Sequence, residues 1–155
     1  MDFGIIYFVR RNALALLLLI FAVLFVGVAI RQVFFVKKTI TVGAKKVTVE
    51  VAKSQAARER GLSGRTSLCE NCGMLFLFPK ADFYPIWMKG MRFDIDIIWI
   101  LGSKVIGITP NVPYPNPGET VLPTFRPPQA VDAVLEVPSG WAQKNGIKAG
   151  SLVQY

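Results

Sequence analysis

The sequence predicts a mostly β protein: a small β-sandwich or distorted barrel with two short helices, preceded by one transmembrane helix. Three observations lead there. Residues 12–30, NALALLLLIFAVLFVGVAI, run for 19 positions without a charge. Downstream, short runs rich in β-branched and aromatic residues alternate with turn residues and charges. Only two further stretches carry helix start and stop signals, and both are short. Seven or eight short strands with two short helices fit a layered or closed β architecture.

The apolar stretch comes first. At about 1.5 Å per residue it spans roughly the 30 Å hydrocarbon core of a bilayer. Arg10, Arg11 and Arg31 bracket it and can reach the headgroups. The competing reading is a cleaved signal peptide, for which Gly27-Val28-Ala29 offers small residues. The run is longer than the roughly 7–15 apolar residues of a signal core, which favours an uncleaved anchor. The expected organisation is a cytoplasmic N-terminus (1–11), an anchor (12–30), a linker (31–38) and a β-domain (39–155). Arg31, Lys37, Lys38, Lys45 and Lys46 on the C-terminal side oppose an outward-facing domain by charge count. Long domains, however, translocate largely regardless of charge. The expected location is the cytoplasmic membrane, single-pass, with the domain outside.

Composition narrows the function. The net charge of +8 divides evenly, +4 over residues 1–38 and +4 over residues 39–155. So mild and scattered an excess on the domain does not suit nucleic acid, which calls for clustered charge. The basic flanks at 31–46 suit anionic lipid headgroups. There is no histidine, which removes the commonest general base and metal ligand.

The β-domain reads in order. Lys38–Val42 and Lys45–Ala52 alternate apolar and polar residues around a Gly43-Ala44 turn. Ser54 is a candidate N-cap for a helix over Gln55–Arg60, with Gly61 closing it. Three apolar runs follow, Met74–Phe78, Tyr84–Met88 and Ile95–Leu101, all predicted as strands. The last is apolar on both faces and so is expected to be covered on both sides. Gly102-Ser103 turns the chain into Lys104–Thr109. Pro110–Pro128 holds seven of the ten prolines and reads as a long loop without regular structure. Val131–Val137 and Ser151–Gln154 complete the strands. Between them Ser139 is the expected cap of a helix over Trp141–Asn145, ended by Gly146.

The order of several motifs carries a resemblance. Arg60-Gly61-Leu62 with Arg65, Gly73-Met74-Leu75-Phe76, Trp87-Met88-Lys89 and Asp96 in an apolar strand are followed by Val134–Gly140 (VLEVPSG) and Gly146–Gly150 (GIKAG). This set resembles the domain-of-unknown-function family number 192, over roughly Val47 to Val153. The resemblance implies a small β-sandwich-like fold, often behind a signal peptide or anchor and so often extracytoplasmic. It implies no assigned reaction. Two features depart from the family pattern: Asp94 stands where a proline is usual, and the Cys69-x-x-Cys72 pair is not general.

Each candidate site has a chemical reading and an ordinary structural one. Cys69 and Cys72 can close a small disulfide ring, exchange thiols or give half a metal site. Their place in a loop rather than at a helix N-terminus favours a stapling disulfide. Asp94 and Asp96 share one face of a strand by period-2 spacing. With Glu136 they could form a hydrolase-like or cation-dependent centre, or they could be ion pairs that pin the sheet. Arg60, Arg65 and Lys89 could hold an anionic ligand, or cap and pair locally. Phe83, Tyr84, Trp87, Tyr114 and Phe125 could form an aromatic binding floor, or fill the core. Met74, Met88 and Met91 with Trp87 admit a Cu(I) reading, but such residues more often pack. The leading expectation is a non-catalytic binding or interaction module at the cell envelope, with the bilayer as partner through 12–30. Its ligand-binding residues are Arg60, Arg65, Trp87, Lys89 and Tyr114. An anionic small molecule, a glycan or an envelope protein is the candidate ligand. No metal and no cofactor is implied.

Overall fold

The computed structural model describes residues 17–19, 21, 35–116, 118–119 and 121–155. The chain separates into two units, residues 1–34 and 35–155. In the first, Leu17–Leu19 and Phe21 are helical, and the rest of the expected anchor lies outside the described residues. Among the described residues no helix is long and apolar enough to cross a membrane.

The second unit is mostly β. Its strands are β1 (Val36–Val42), β2 (Lys45–Ala52), β3 (Cys72–Asp82), β4 (Ile86–Trp87), β5 (Ile95–Leu101), β6 (Lys104–Val112), β7 (Thr124–Phe125), β8 (Val131–Pro138) and β9 (Val153–Gln154). Two short helices, α1 (Gln55–Arg60) and α2 (Trp141–Lys144), complete it. Seven strands form one sheet in the order β6-β5-β8-β3-β2-β1-β9, while β4 and β7 pair separately. A two-sheet sandwich is therefore not what forms. The single sheet curls until its edges approach. Leu152, just before β9, bridges to Lys104 of β6, and Val105 donates to the Ser151 carbonyl at 2.9 Å. The distorted-barrel half of the expectation describes this curl.

Curling gives the sheet an inner and an outer face, and strand alternation sorts residues between them. Ile40, Val42, Val47, Val49, Leu75, Ile98, Ile100, Leu135 and Val137 fill the inner core with Trp141 of α2. Met74, Phe76, Ile97, Trp99 and Val134 are equally buried on the outer face. Residues 95–100 are thus covered on both sides, as their apolar run predicts, and only Leu101 at the end of β5 is exposed.

The outer face is covered by the one crossover in the sheet. All neighbours pair antiparallel except β2 and β3, which are parallel. Parallel neighbours need a crossover, here residues 53–71 with α1 in it. α1 begins where the sequence predicts: the Ser54 hydroxyl accepts from Ala57 N–H at 3.2 Å. It ends at Gly61, whose φ of 50° suits a residue without a Cβ. At the far end of the crossover, Gly73 lies against β8. A Cβ there would stand 2.6 Å from the Glu136 carbonyl oxygen, so only glycine lets the strands approach.

Three elements differ from expectation, each for a local reason. Tyr84–Met88 forms only the two-residue β4, because Pro85 has no N–H to pair and Tyr84 N–H turns back to the Asp82 carbonyl. The proline-rich segment is partly regular: 110–112 extend β6, and 124–125 form β7 against β4. α2 is not capped by Ser139, whose hydroxyl donates instead to Asn111 Oδ1.

The cap of α2 comes from Asp96. Its carboxylate accepts from Asn111 N–H at 2.8 Å, Gly140 N–H at 3.0 Å and Ala142 N–H at 2.9 Å. Asp96 is fully buried, which for a lone carboxylate costs several kcal/mol. Three bonds to a charged acceptor, each worth about 1.5–3 kcal/mol, offset that cost. Asp96→Asn turns an NH2 group toward N–H donors. It is expected to lower unfolding stability by about 3 kcal/mol, read by denaturation followed by circular dichroism. A change below about 0.5 kcal/mol, the range of neutral surface substitutions, contradicts this role.

Candidate functional site

The candidate site lies on the outer face of the sheet, under the crossover. It is built around Glu136. In register across the sheet, Glu136 of β8 stands between Met74 of β3 and Ile97 of β5. Paired residues of an antiparallel ladder share a face, so Glu136 projects among apolar neighbours that are completely buried. A cleft of about 280 Å³ opens there. Its walls are Leu62, Phe76, Phe78, Tyr84, Ile86 and Trp87, and Arg60 and Lys89 stand among its lining.

Local structure places each wall. After Leu77 the register between β3 and β8 shifts, and the 78–81 segment leaves the ladder. Phe78 is then free to stack on Tyr84, with ring centroids 3.7 Å apart and planes 7° from parallel. The Tyr84 hydroxyl donates to the Lys80 carbonyl at 3.1 Å and fixes the ring. The Arg58 guanidinium lies 5.4 Å from the Phe78 centroid and donates to the Leu77 carbonyl at 3.1 Å. On the opposite wall, the Ser63 hydroxyl donates to the Lys89 carbonyl at 2.6 Å, and Gly64 N–H donates to the Gly90 carbonyl at 2.8 Å. These bonds join the loop after α1 to the loop after β4. The Lys89 ammonium sits 5.3 Å from the Trp87 ring centroid.

The Glu136 carboxyl makes no hydrogen bond or ion pair among the described residues. Among the described residues no buried side-chain oxygen lacks a partner, so its oxygens reach the cleft surface. Burial without compensation pushes its pKa up from 4.5 to about 8. At neutral pH the group is chiefly a neutral carboxylic acid, which can donate a hydrogen bond into the cleft.

The other predicted residues lie elsewhere. Asp94 and Asp96 do not converge with Glu136. Asp96 pairs in register with Val137, the residue after Glu136, so its side chain takes the opposite face. Asp94 is exposed and accepts from Tyr114 N–H at 2.9 Å. Among the described residues no three His, Cys, Asp or Glu side chains gather as metal ligands. Arg65 does not line the cleft. It forms a fork to Glu50, at 2.8 and 2.6 Å, which holds the Glu50 carboxyl below its usual range. Tyr114, Phe83 and Phe125 are also outside the cleft lining. Met74 and Met88 are fully buried packing residues.

Cys69 and Cys72 are bonded to each other, with Cα atoms 5.1 Å apart. The ring they close docks on α2. Asn71 Oδ1 accepts from the Trp141 indole N–H at 3.2 Å, and Glu70 pairs with Lys144. Its place is at the entry to β3, away from the cleft lining.

Phe76, Phe78, Leu62, Ile86 and Arg58 are site residues that the sequence reading did not single out. A usable signal was present. Alternation along β3 puts Met74, Phe76 and Phe78 on one face, and one buried acid in an apolar β8 marks where that face opens.

Comparison with known proteins agrees with this architecture. The DUF192 model, described as an uncharacterised ACR, matches residues 37–155. The chain belongs to the DUF192 family. Solved structures similar to it include a Sinorhizobium meliloti 1021 protein described as a candidate transcription regulator. That protein is 25% identical with a TM-score of 0.70, covering 79% of this chain and 96% of the other. A protein of unknown function from Novosphingobium aromaticivorans DSM 12444 is 29% identical with a TM-score of 0.68, covering 77% and 85%. No curated protein matches the chain. The DUF192 domain thus brings a fold and no assigned reaction.

The unpaired acid makes stability depend on pH in a defined direction. Between pH 4.5 and about 8 the unfolded chain has lost the Glu136 proton and the folded chain keeps it. Folding therefore binds a proton, and this contribution to stability is lost as pH rises across that window. Glu136→Gln is expected to flatten the slope and to be the more stable protein at pH 8–9, by a few kcal/mol. Parallel pH–stability curves for the two proteins would contradict an elevated Glu136 pKa.

Proposed function

We propose that this DUF192 chain is a binding module at the cell envelope, anchored through residues 12–30 with its domain outside the cytoplasmic membrane. The cleft over Glu136 is its ligand site. The carrying observation is an acid that is buried among apolar side chains, has no partner among the described residues and reaches a formed cleft. Protein interiors pair such groups, so an unpaired one facing a cavity is a recognition group for something that enters.

A binding role fits better than the aspartate-based enzyme. General acid–base work by a carboxylate pair needs both groups on one reacting centre; here Asp94 is exposed and accepts from Tyr114 N–H, while Asp96 is bonded to three backbone N–H groups on the face opposite Glu136. Nucleic acid is a poor partner for a domain whose slight positive excess is scattered. The outward placement draws on the charge-free 12–30 segment and on a bonded CxxC loop, which suits an oxidising compartment.

Two experiments test the two halves of this reading. In an NMR fragment screen, hits are expected to perturb Leu62, Phe76, Ile86 and Glu136, and to be lost in Ile86→Trp, which fills the cleft. Hits scattered over the surface, or unaffected by that substitution, contradict the site. In intact cells, a membrane-impermeant maleimide is expected to label Cys69 and Cys72 only after an impermeant phosphine is added. Labelling that requires lysis but no reductant contradicts the placement.

A further inference from the structure

The charge around the cleft says more about what enters it. A second cavity of about 400 Å³ shares Glu59, Arg60, Ser63, Trp87 and Lys89 with the first, so the cleft leads into a vestibule bordered by charged side chains. Arg60 and Lys89 line both, and neither makes an ion pair among the described residues. Glu59, the vestibule's acid, accepts from Gln55 Nε2 at 2.8 Å. Across the two cavities three cations (Arg58, Arg60, Lys89) stand against this one charged acid.

We infer that the site takes an amphipathic organic anion. Its aromatic or aliphatic body lies on Phe76, Ile86 and the Phe78–Tyr84 stack, its carboxylate sits in the vestibule with Arg60 and Lys89, and a carbonyl-type acceptor faces Glu136. This rests on the cleft being the binding site and adds the class of ligand. The parts divide by chemistry. Apolar walls give affinity without selecting charge. Two unpaired cations at one end select an anion and are best met by a carboxylate. A neutral acid inside the cleft favours an acceptor and rejects a second anionic group buried beside it. The groups that face Glu136 and the bound anion are Arg58, Glu59 and Arg60 from α1, Tyr84 between β3 and β4, and Lys89 after β4. Tyr84 donates its hydroxyl hydrogen to the Lys80 carbonyl, and Glu59, which lines both cavities, is exposed and bonded to Gln55, so Glu136 is the buried acid set to respond to pH inside the cleft.

The test uses the full chain in nanodiscs, with empty nanodiscs as blank. The probe is 3-benzoylpropionate, which joins a phenyl ring, a ketone and a carboxylate; its neutral primary amide is the control. Calorimetry at pH 6.5 is expected to show the acid binding roughly tenfold more tightly than the amide, the worth of one charge-assisted contact. Arg60→Ala and Lys89→Ala are each expected to weaken the acid several-fold and leave the amide unchanged. Raising the pH from 6.5 to 9 is expected to weaken the acid in the native protein and not in Glu136→Gln. Equal binding of acid and amide, with shifts confined to cleft residues, overturns the anion assignment and leaves the cleft as a binding site. Absence of binding by either probe overturns both.

Discussion

Asp96 is the residue on which the β-domain's geometry depends. One buried carboxylate gathers backbone N–H groups from the end of β6 and from both sides of the β8–α2 turn. It thereby fixes where the proline-rich segment departs, where α2 starts and how Trp141 enters the inner core. α2 is too short to be stable by itself. Its position is secured from outside, by Asp96 at its start and by the cysteine loop through Trp141 and Lys144.

Glu136 shows what happens to a carboxyl without such partners. Asp96 and Glu136 come from adjacent strands, and both are buried. The first has three donors and keeps its burial by bonding; the second has none among the described residues and keeps it by staying protonated. The same sheet thus uses one acid for architecture on the inner side and presents another on the outer side. The parallel β2–β3 crossover makes that second acid useful. It carries α1 and Leu62 across the outer face and leaves a cleft rather than a closed layer.

Much of this was legible in the sequence. Strand alternation located β2 and most of β1, and runs of β-branched and aromatic residues located β5, most of β6 and β8 and about half of β3, because both are local signals. Ser54 and Gly61 bounded α1 correctly for the same reason. The single curled sheet was not legible, since a two-layer sandwich and a curled barrel need the same strand pattern. The cap of α2 was assigned to Ser139 because it precedes the helix, whereas the true donor–acceptor set spans 46 residues. Period-2 spacing puts Asp94 and Asp96 on one face only if both lie in the strand; β5 begins at Ile95, which leaves Asp94 exposed before it, and the face that Asp96 takes depends on pairing with β8. Arg65 was indistinguishable from Arg60 until Glu50 was seen opposite it.

The central claim is that Glu136 is a neutral acid facing an apolar cleft. The most direct measurement is its own titration, followed by the 13C shift of the side-chain carboxyl in selectively labelled protein. The account predicts a midpoint near 8, the value to which burial raises it. A midpoint near 4.5 would mean that the carboxyl is solvated or paired, and would contradict the account.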